Sequence, residues 1–359
     1  MARGLIGLDI GSHSIKVVEL KEAKGGSWRL VKFGLHKLPP EAIVDGAIMN
    51  SAAVVEGIRD LIARHRIKAR EVSTSVSGHS VIIKKITLPS MTEEELAESI
   101  QWEAEQYIPF SVNDVNLDTQ VLNRGAEDAG QMDVLLVAAK KDIIQEYTAV
   151  VAEAGLKPLI VDVACFAIEN SFDMNETFQP GETVALVNVG ASLVNINVLS
   201  NGVTAFTRDI NMGGNQFTEE IQKQLNVSYE EAEALKLGGN LSSAAHSTTE
   251  AVVPQEVGAI LRSTSEALAV EIQRSIDFYL ATAAGLTLSR LILSGGTAKI
   301  AGLKHALETT LNTKVELADP FRNVAYNPKE FDPDYLRDVA PMATVAMGLA
   351  SRRLADKPS

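Results

Sequence analysis

The chain of 359 residues carries 33 Lys+Arg against 46 Asp+Glu, a formal net charge of −13, with 46% hydrophobic and 22% charged residues. That length allows about two domains of ~150 residues with sizeable cores, and the acid excess excludes a general nucleic-acid binder, which needs clustered Lys and Arg against phosphate. The single cysteine, Cys165, excludes an intramolecular disulfide framework and a cysteine-rich zinc site, and the six histidines show no metal-ligand spacing.

Met1-Ala2-Arg3-Gly4 leads straight into a strand, so no secretory signal is read. Leu5–Ile10, Ile15–Leu20 and Trp28–Leu35 read as strands, with Gly11-Ser12-His13-Ser14 turning between the first two. Ser51–His65 has apolar residues at helical spacing, and Val72–Leu88 reads as paired strands. Thr92 and Glu95 form a capping box for a helix whose apolar face is Leu96, Ile100, Ala104 and Ile108, with Pro109 as its stop. Strands at Leu117–Leu122 and Met132–Ala138, a helix at Lys141–Ala154 and a strand at Leu159–Val163 follow.

The uncharged run Thr183–Thr207 is long enough to span a membrane as a helix, but Asn188, Asn195, Asn197 and Asn201 break it up. It reads instead as strands, with Asn201-Gly202 as a hairpin turn, in a soluble protein. Phe217–Leu225 and Tyr229–Leu237 are short helices, Gly238–Ser247 a small polar loop, and Pro254–Ala284 a long helix. A strand at Leu291–Leu293 meets the turn Ser294–Thr297 and a helix through Leu311; Met342–Leu354 is the last helix.

The opening theme recurs. Residues 5–20 repeat at 184–199, each copy an apolar strand, an Asx (Asp9, Asn188), a glycine turn (Gly11, Gly190) and a strand with a polar residue five positions after the glycine (Lys16, Asn195). An Asx at the strand end is placed for a Mg²⁺ or its water. The glycine lets backbone approach a phosphate, successive N–H groups form an anion nest, and Lys16 adds a mobile charge. The alternative is two ordinary hairpins with Asp9 and Asn188 as turn formers; the paired occurrence and a third loop, Gly295-Gly296-Thr297, favour a site. Gly213-Gly214 is either a fourth close approach or a simple turn.

These residues together resemble the actin-like ATPase superfamily, which includes actin, sugar kinases and the cell-division protein FtsA. Within it, "GLDIGSHSIKVVEL", "LPSMTEEELAESIQWEAEQYIPF", "VNVGASLVNINVL" and "LILSGGTAKIAGL" resemble the type IV pilus assembly PilM family over essentially the whole chain. The resemblance implies an α/β, actin-like (ribonuclease H-like) duplicated fold, with two lobes around a nucleotide cleft and an FtsA-like α+β insertion. The first lobe would be 1–81 with 159–183 and 340–359, the insertion 82–158, and the second lobe 184–339 with 215–285 its helical subdomain. Asp162–Asn170 and Met342–Leu354 would be the connecting helices.

The resemblance also implies ATP with Mg²⁺. Asp9 would orient the metal, Gly11, Ser12 and Lys16 would meet the phosphates, and Gly190, Ala191, Ser192 and Asn195 would hold the other side. Gly295, Gly296 and Thr297, with Gly213 and Gly214, would lie close to the nucleotide, and Glu233 and Lys236 would touch ribose and base unless they form only a solvated helix face. Asn188 stands where many hydrolysing members have Asp, and an amide is no carboxylate base, so binding with weak or no ATPase activity is expected. Asp162 is the one candidate for orienting a water, with a turn role as its alternative.

The implied partner is the N-terminal cytoplasmic tail of the inner-membrane protein PilN, held near the insertion, with the pilus motor ATPases linked directly or through it. The chain would then sit at the cytoplasmic face of the bacterial inner membrane, with self-association open. A filament-forming protein like FtsA is the alternative, although Ala350–Ser359 offers no separate membrane helix; a sugar-kinase-type enzyme lacks a candidate carboxylate base near the loops.

Overall fold

The computed structural model describes residues 5–23, 26–123, 130–238, 252–283 and 285–353. Met1–Gly4, the Gly238–Ser247 loop from residue 239 onward, Ala284 and residues 354–359 of the last segment lie outside them.

The first sheet begins with the meander β1 (Ile6–Ile10), β2 (Ser14–Glu22) and β3 (Trp28–Lys37). A two-stranded ribbon, β4 (Ile43–Val44) and β5 (Ala47–Ile48), precedes α1 (Ser51–Arg64), capped by Asn50. β6 (Glu71–Val76) returns parallel to β1. The chain then leaves this sheet through Ser77-Gly78, where Gly78 takes a φ of +83°. β7 (Val81–Pro89) therefore joins a different sheet, so Val72–Leu88 is not a hairpin. Apolar alternation marks strands but does not name their partners.

That second sheet is three-stranded, ordered β7-β9-β8, with β8 (Val115–Asn123) and β9 (Gln131–Lys140). It buries Ile86, Leu88, Met132, Val134 and Leu136 against Leu96 and Ile100 of α2 (Glu93–Ala104). The Thr92–Glu95 capping box is present. The helix stops at Ala104, short of Pro109, and continues as a turn in which the Ile108 N–H still donates to Ala104 O at 3.0 Å, with Ile108 buried beyond the helix end.

α3 (Lys141–Glu153) behaves differently from the rest of the 82–158 stretch. Its buried Ile143, Tyr147, Val150 and Val151 enter the core of the first sheet beside Val54, Ile58 and Leu61 of α1. β10 (Lys157–Val163) then pairs parallel with β6. α4 (Ala164–Asp173) starts after Asp162, which sits on β10.

The second lobe repeats the first. β11 (Thr183–Val189), β12 (Val194–Ser200) and β13 (Val203–Ile210) form a meander with Asn201-Gly202 at the β12–β13 turn, both at positive φ. α5 (Gly214–Leu225), α6 (Tyr229–Lys236) and α7 (Val252–Thr282) follow. β14 (Arg290–Ser294), a short 3₁₀ turn at Gly296–Lys299, α8 (Leu303–Leu311) and β15 (Lys314–Leu317) complete the sheet. Its order, β13-β12-β11-β14-β15, matches β3-β2-β1-β6-β10 of the first. β16 (Val324–Ala325) then extends the first sheet beside β3.

α9 (Pro333–Ala350) begins nine residues earlier than Met342, because Asp332 caps it and Pro333 takes a first-turn position where its missing N–H costs nothing. It lies on the first sheet through Val339, Ala343 and Met347, and on the second sheet through Val345 and Leu349 together with Ile168 and Phe172 of α4. A Cβ on Gly348 would stand 1.7 Å from Ala167 O, so the two connecting helices cross in near backbone contact. Among the described residues no helix is long and apolar enough to cross a membrane, and Thr183–Thr207 is strand and turn.

Candidate functional site

The two repeated hairpins share one register. Asp9 lies opposite Lys16 on β1–β2, and Asn188 lies opposite Asn195 on β11–β12. Both turns close the same way: Gly11 N–H donates to Ser14 O at 3.2 Å, and Gly190 N–H to Leu193 O at 2.8 Å. In the first hairpin Lys16 Nζ stands 3.0 Å from Asp9 Oδ2, a pair of opposite charges. In the second, the corresponding contact is neutral, Asn188 Nδ2 donating to Asn195 Oδ1 at 3.1 Å.

The third loop packs onto the second. Gly295 has a φ of +93°, and a Cβ there would fall 2.2 Å from Val189 O, so only glycine fits. Thr297 Oγ1 donates to Gly190 O at 2.7 Å. Gly213 and Gly214 serve the same packing: a Cβ on Gly213 would meet Gly190 O and Ala191 O at 2.6 Å, and one on Gly214 would meet Thr297 Oγ1 at 2.6 Å. The first turn of α5 accordingly donates N–H groups to these carbonyls, Gly214 to Gly190 O at 3.0 Å and Asn215 to Ala191 O at 2.8 Å. The Asn215 amide also donates to Ser192 Oγ at 3.1 Å.

On α6, Glu233 and Lys236 are not a solvated face. Their side chains are 7% and 9% exposed and form an ion pair, and Lys236 Nζ also donates to Thr218 Oγ1 at 2.7 Å and Gly214 O at 3.1 Å. Burial pushes the Glu233 carboxyl up, but the bonds from Lys236 and Thr218 outweigh it and hold it below its ordinary value. Burial lowers Lys236 against the pull of Glu233. His13, in the first loop, is also lowered by burial, with Lys37, Lys236 and Lys16 acting in the same direction against Glu233.

These groups enclose one cleft of about 380 Å³ between the lobes. It is lined by Asp9, Gly11, Ser12, Lys16, Gly190, Ala191, Ser192, Asn195, Gly214, Glu233, Lys236, Gly295, Gly296 and Thr297, with Asn188 beside them. Gly213 lines the adjoining mouth of about 660 Å³. Asp162 is not among the lining residues; it accepts from Val163 N–H at 2.8 Å and stands 3.3 Å from Arg352 Nε. Sequence reasoning missed Asp45, Tyr147, Lys299, Asp338 and Met342, which complete the walls. Lys299 pairs with Asp338 of α9, a contact that only the fold creates, whereas His13 and Ser14 lie inside the first loop and could have been read from it.

The arrangement suits a polyphosphate with its metal. Two glycine turns approach from opposite lobes, Lys16 stands beside the first of them, and the Cβ position of Gly11 is bounded only by Lys16 Nζ at 3.2 Å, Ser14 O at 3.3 Å and Asp9 Oδ1 at 4.0 Å. Among the described residues no group of three His, Cys, Asp or Glu is placed to hold a metal alone. A Mg²⁺ here would be held by Asp9 together with ligand phosphates, the usual manner for that ion.

The family model for type IV pilus assembly protein PilM matches residues 7–354. A solved PilM-PilN type IV pilus biogenesis complex superimposes with a TM-score of 0.84, at 28% identity and 97% coverage of both chains. The cell division protein FtsA of Streptococcus pneumoniae is 23% identical across 90% of this chain and 77% of its own length. The FtsA of Bacillus subtilis is 23% identical across 64% of this chain, which spans only 57% of that relative. MreB5 of Spiroplasma citri bound to AMPPNP shares the fold, with a TM-score of 0.50 at 12% identity.

Proposed function

This chain belongs to the family of the type IV pilus assembly protein PilM, and from that premise we propose that it is a nucleotide-binding scaffold of the pilus machine, carrying Mg-ATP between its lobes and the N-terminal tail of PilN on its surface. The observation that carries the nucleotide site is the shared register of the two hairpins, which sets Asp9 with Lys16 and Asn188 with Asn195 on one cleft. In this reading Asp9 orients the metal and its water, while Gly11, Ser12 and Lys16 meet phosphates from the first lobe. Gly190, Ala191 and Ser192 meet them from the second, and Gly295, Gly296 and Thr297 face the adenosine. The Glu233–Lys236 pair borders the ribose and base. Calorimetry tests this: one Mg-ATP per chain is expected, and Asp9→Ala should abolish it; equal affinity for both proteins would overturn the assignment.

Asn188 makes the site a binder more than a catalyst. Its amide supplies neither the basicity nor the negative charge of a carboxylate.

PilN is proposed as the partner because the solved relative is a PilM-PilN complex. The tail is placed where the inserted sheet meets the first lobe. The segments at the two ends of α2 contribute little to such a groove, since Leu88 and Ile108 are buried and Tyr107 and Phe110 pack against the same core. Main-chain pairing at the junction, with few apolar pockets, would give modest affinity once the tail is ordered. Crosslinks from a labelled PilN tail should fall on the insertion or the first lobe; crosslinks confined to 220–285 would refute that placement. Held by PilN, the chain would lie at the cytoplasmic face of the inner membrane, within reach of the motor ATPases. The FtsA relatives favour a second reading, ATP-dependent filaments, which sedimentation of the purified protein with ATP would reveal.

A further inference from the structure

Asp209 of β13 is absent from the cleft wall, yet its carboxylate starts a chain of hydrogen bonds that ends there. Asp209 lies opposite Asn195 in register, and Asn195 lies opposite Asn188. Asn195 Nδ2 donates to Asp209 Oδ1 at 2.8 Å, and Asn188 Nδ2 donates to Asn195 Oδ1 at 3.1 Å. Ser294 Oγ, at 3.2 Å, donates to Asn188 Oδ1. The other carboxylate oxygen, Asp209 Oδ2, accepts the Gly78 N–H of the first lobe at 2.6 Å. Desolvation leaves the Asp209 carboxyl raised overall, although the two donors oppose it; both of its oxygens accept from N–H groups, the arrangement of a carboxylate.

The chain has a direction. A carboxylate only accepts, so Asn195 must turn its NH₂ to Asp209 and its oxygen to Asn188. Asn188 must then turn its own NH₂ to Asn195 and its oxygen to Ser294. An amide NH₂ carries two donors, which leaves Asn188, a cleft-lining residue, with one N–H to spare.

We propose that Asp209 is a positioning residue: acting through Asn195, it fixes the Asn188 amide so that the second lobe meets bound phosphate with an N–H donor, and its bond to Gly78 ties that orientation to the approach of the two lobes. The proposal rests on the nucleotide reading above. Asn188 Oδ1 accepts from Ser294 Oγ and brings no negative charge, so Asp9 is the better group for the ion.

Reversing the polarity tests this. Asp209→Asn keeps an acceptor for Gly78 but no longer dictates which way Asn195 points. Asn188→Asp puts a carboxylate at each end of Asn195, so its oxygen faces a negative group whichever way it turns. In the double variant the chain runs backwards with every group paired: the 209 amide accepts from Gly78 and donates to Asn195, which donates to the new 188 carboxylate.

The expected results are about tenfold weaker Mg-ATP binding for Asp209→Asn, the equivalent of one hydrogen bond, and a lowered Tm for Asn188→Asp. The double variant should recover the Tm of the wild type while its ATP binding becomes more dependent on Mg²⁺, since a carboxylate now faces the phosphates. Strictly additive Tm effects in the cycle, or Asp209→Asn binding within twofold of wild type, would overturn the proposal. A wild type that binds no ATP would instead refute the nucleotide reading, and the Tm cycle would still decide the relay.

Discussion

Replacing Gly11 by valine should remove nucleotide binding while leaving the fold intact. Gly11 is not at positive φ, and an added Cβ meets nothing closer than the Lys16 amine at 3.2 Å and Ser14 O at 3.3 Å. The amine is the far end of a flexible chain, so the folded state absorbs the first carbon at the cost of a few tenths of an ångström. The two further methyls project into the space that a phosphate needs beside Asp9 and Lys16. Each phosphate hydrogen bond to the loop is charge-assisted and contributes about 1.5–3 kcal/mol. Losing two of them costs about 3–6 kcal/mol, or roughly 10²–10⁴ in Kd at 1.4 kcal/mol per decade. Gly11→Ala, lacking those methyls, should sit between the two. Gly295→Ala is the contrasting case: its positive φ and the 2.2 Å approach to Val189 O should destabilise the whole second lobe. The assay pairs calorimetric titration of Mg-ATP with thermal unfolding. An ATP affinity for Gly11→Val within threefold of wild type, at unchanged Tm, would refute the reasoning.

The buried Glu233–Lys236 pair predicts that Lys236→Met, which strands a carboxylate, costs about 3–5 kcal/mol in urea unfolding, whereas Glu233→Leu with Lys236→Met costs clearly less; equal losses would contradict this. His13 and His65 are both held below 6.5 by burial, so the unfolded chain takes up protons that the folded chain refuses. Stability is therefore lost as pH falls through about 6.5, and His13→Asn should lower Tm less than wild type does between pH 7.5 and 5.5; parallel Tm curves would contradict it. Removing 82–138 joins Val81 to Ala139, register partners in the inserted sheet, and should leave a soluble protein that still binds ATP. Removing 82–158 takes α3 out of the first core and should yield insoluble chain; the reverse pattern of soluble yields would refute the assignment of α3. With Asn188 in place, steady phosphate release should stay below about one per second against a typical enzyme turnover of ~10 s⁻¹, as a coupled phosphate assay would record.

What could be read from the sequence was local. Asp9, Gly11 and Lys16 recur as Asn188, Gly190 and Asn195 because a hairpin's register is fixed by a few residues around its turn, so the repeat announces both its shape and the cleft it faces. The Thr92–Glu95 box and the Asn201-Gly202 turn are local in the same sense. Partner choice is not. The apolar face of α3 shows that the helix is buried, but nothing in Lys141–Glu153 says that its neighbours are Val54 and Ile58. Val72–Leu88 alternates as strands should, yet a single turn at Gly78 sends its two halves to separate sheets. The Asp209 relay depends on β13 pairing with β12 in one register, and the Lys299–Asp338 contact joins residues that meet only after α9 has folded across both lobes. Glu233 and Lys236 resemble an ordinary exposed i,i+3 pair until α5 covers them.

A crystal structure grown with ATP and Mg²⁺ tests the central claim most directly. The account predicts one nucleotide per chain, its phosphates between the Gly11 and Gly190 turns, its metal beside Asp9 and its adenosine against Gly295–Thr297. A nucleotide bound elsewhere, or phosphates touching neither turn, would contradict it.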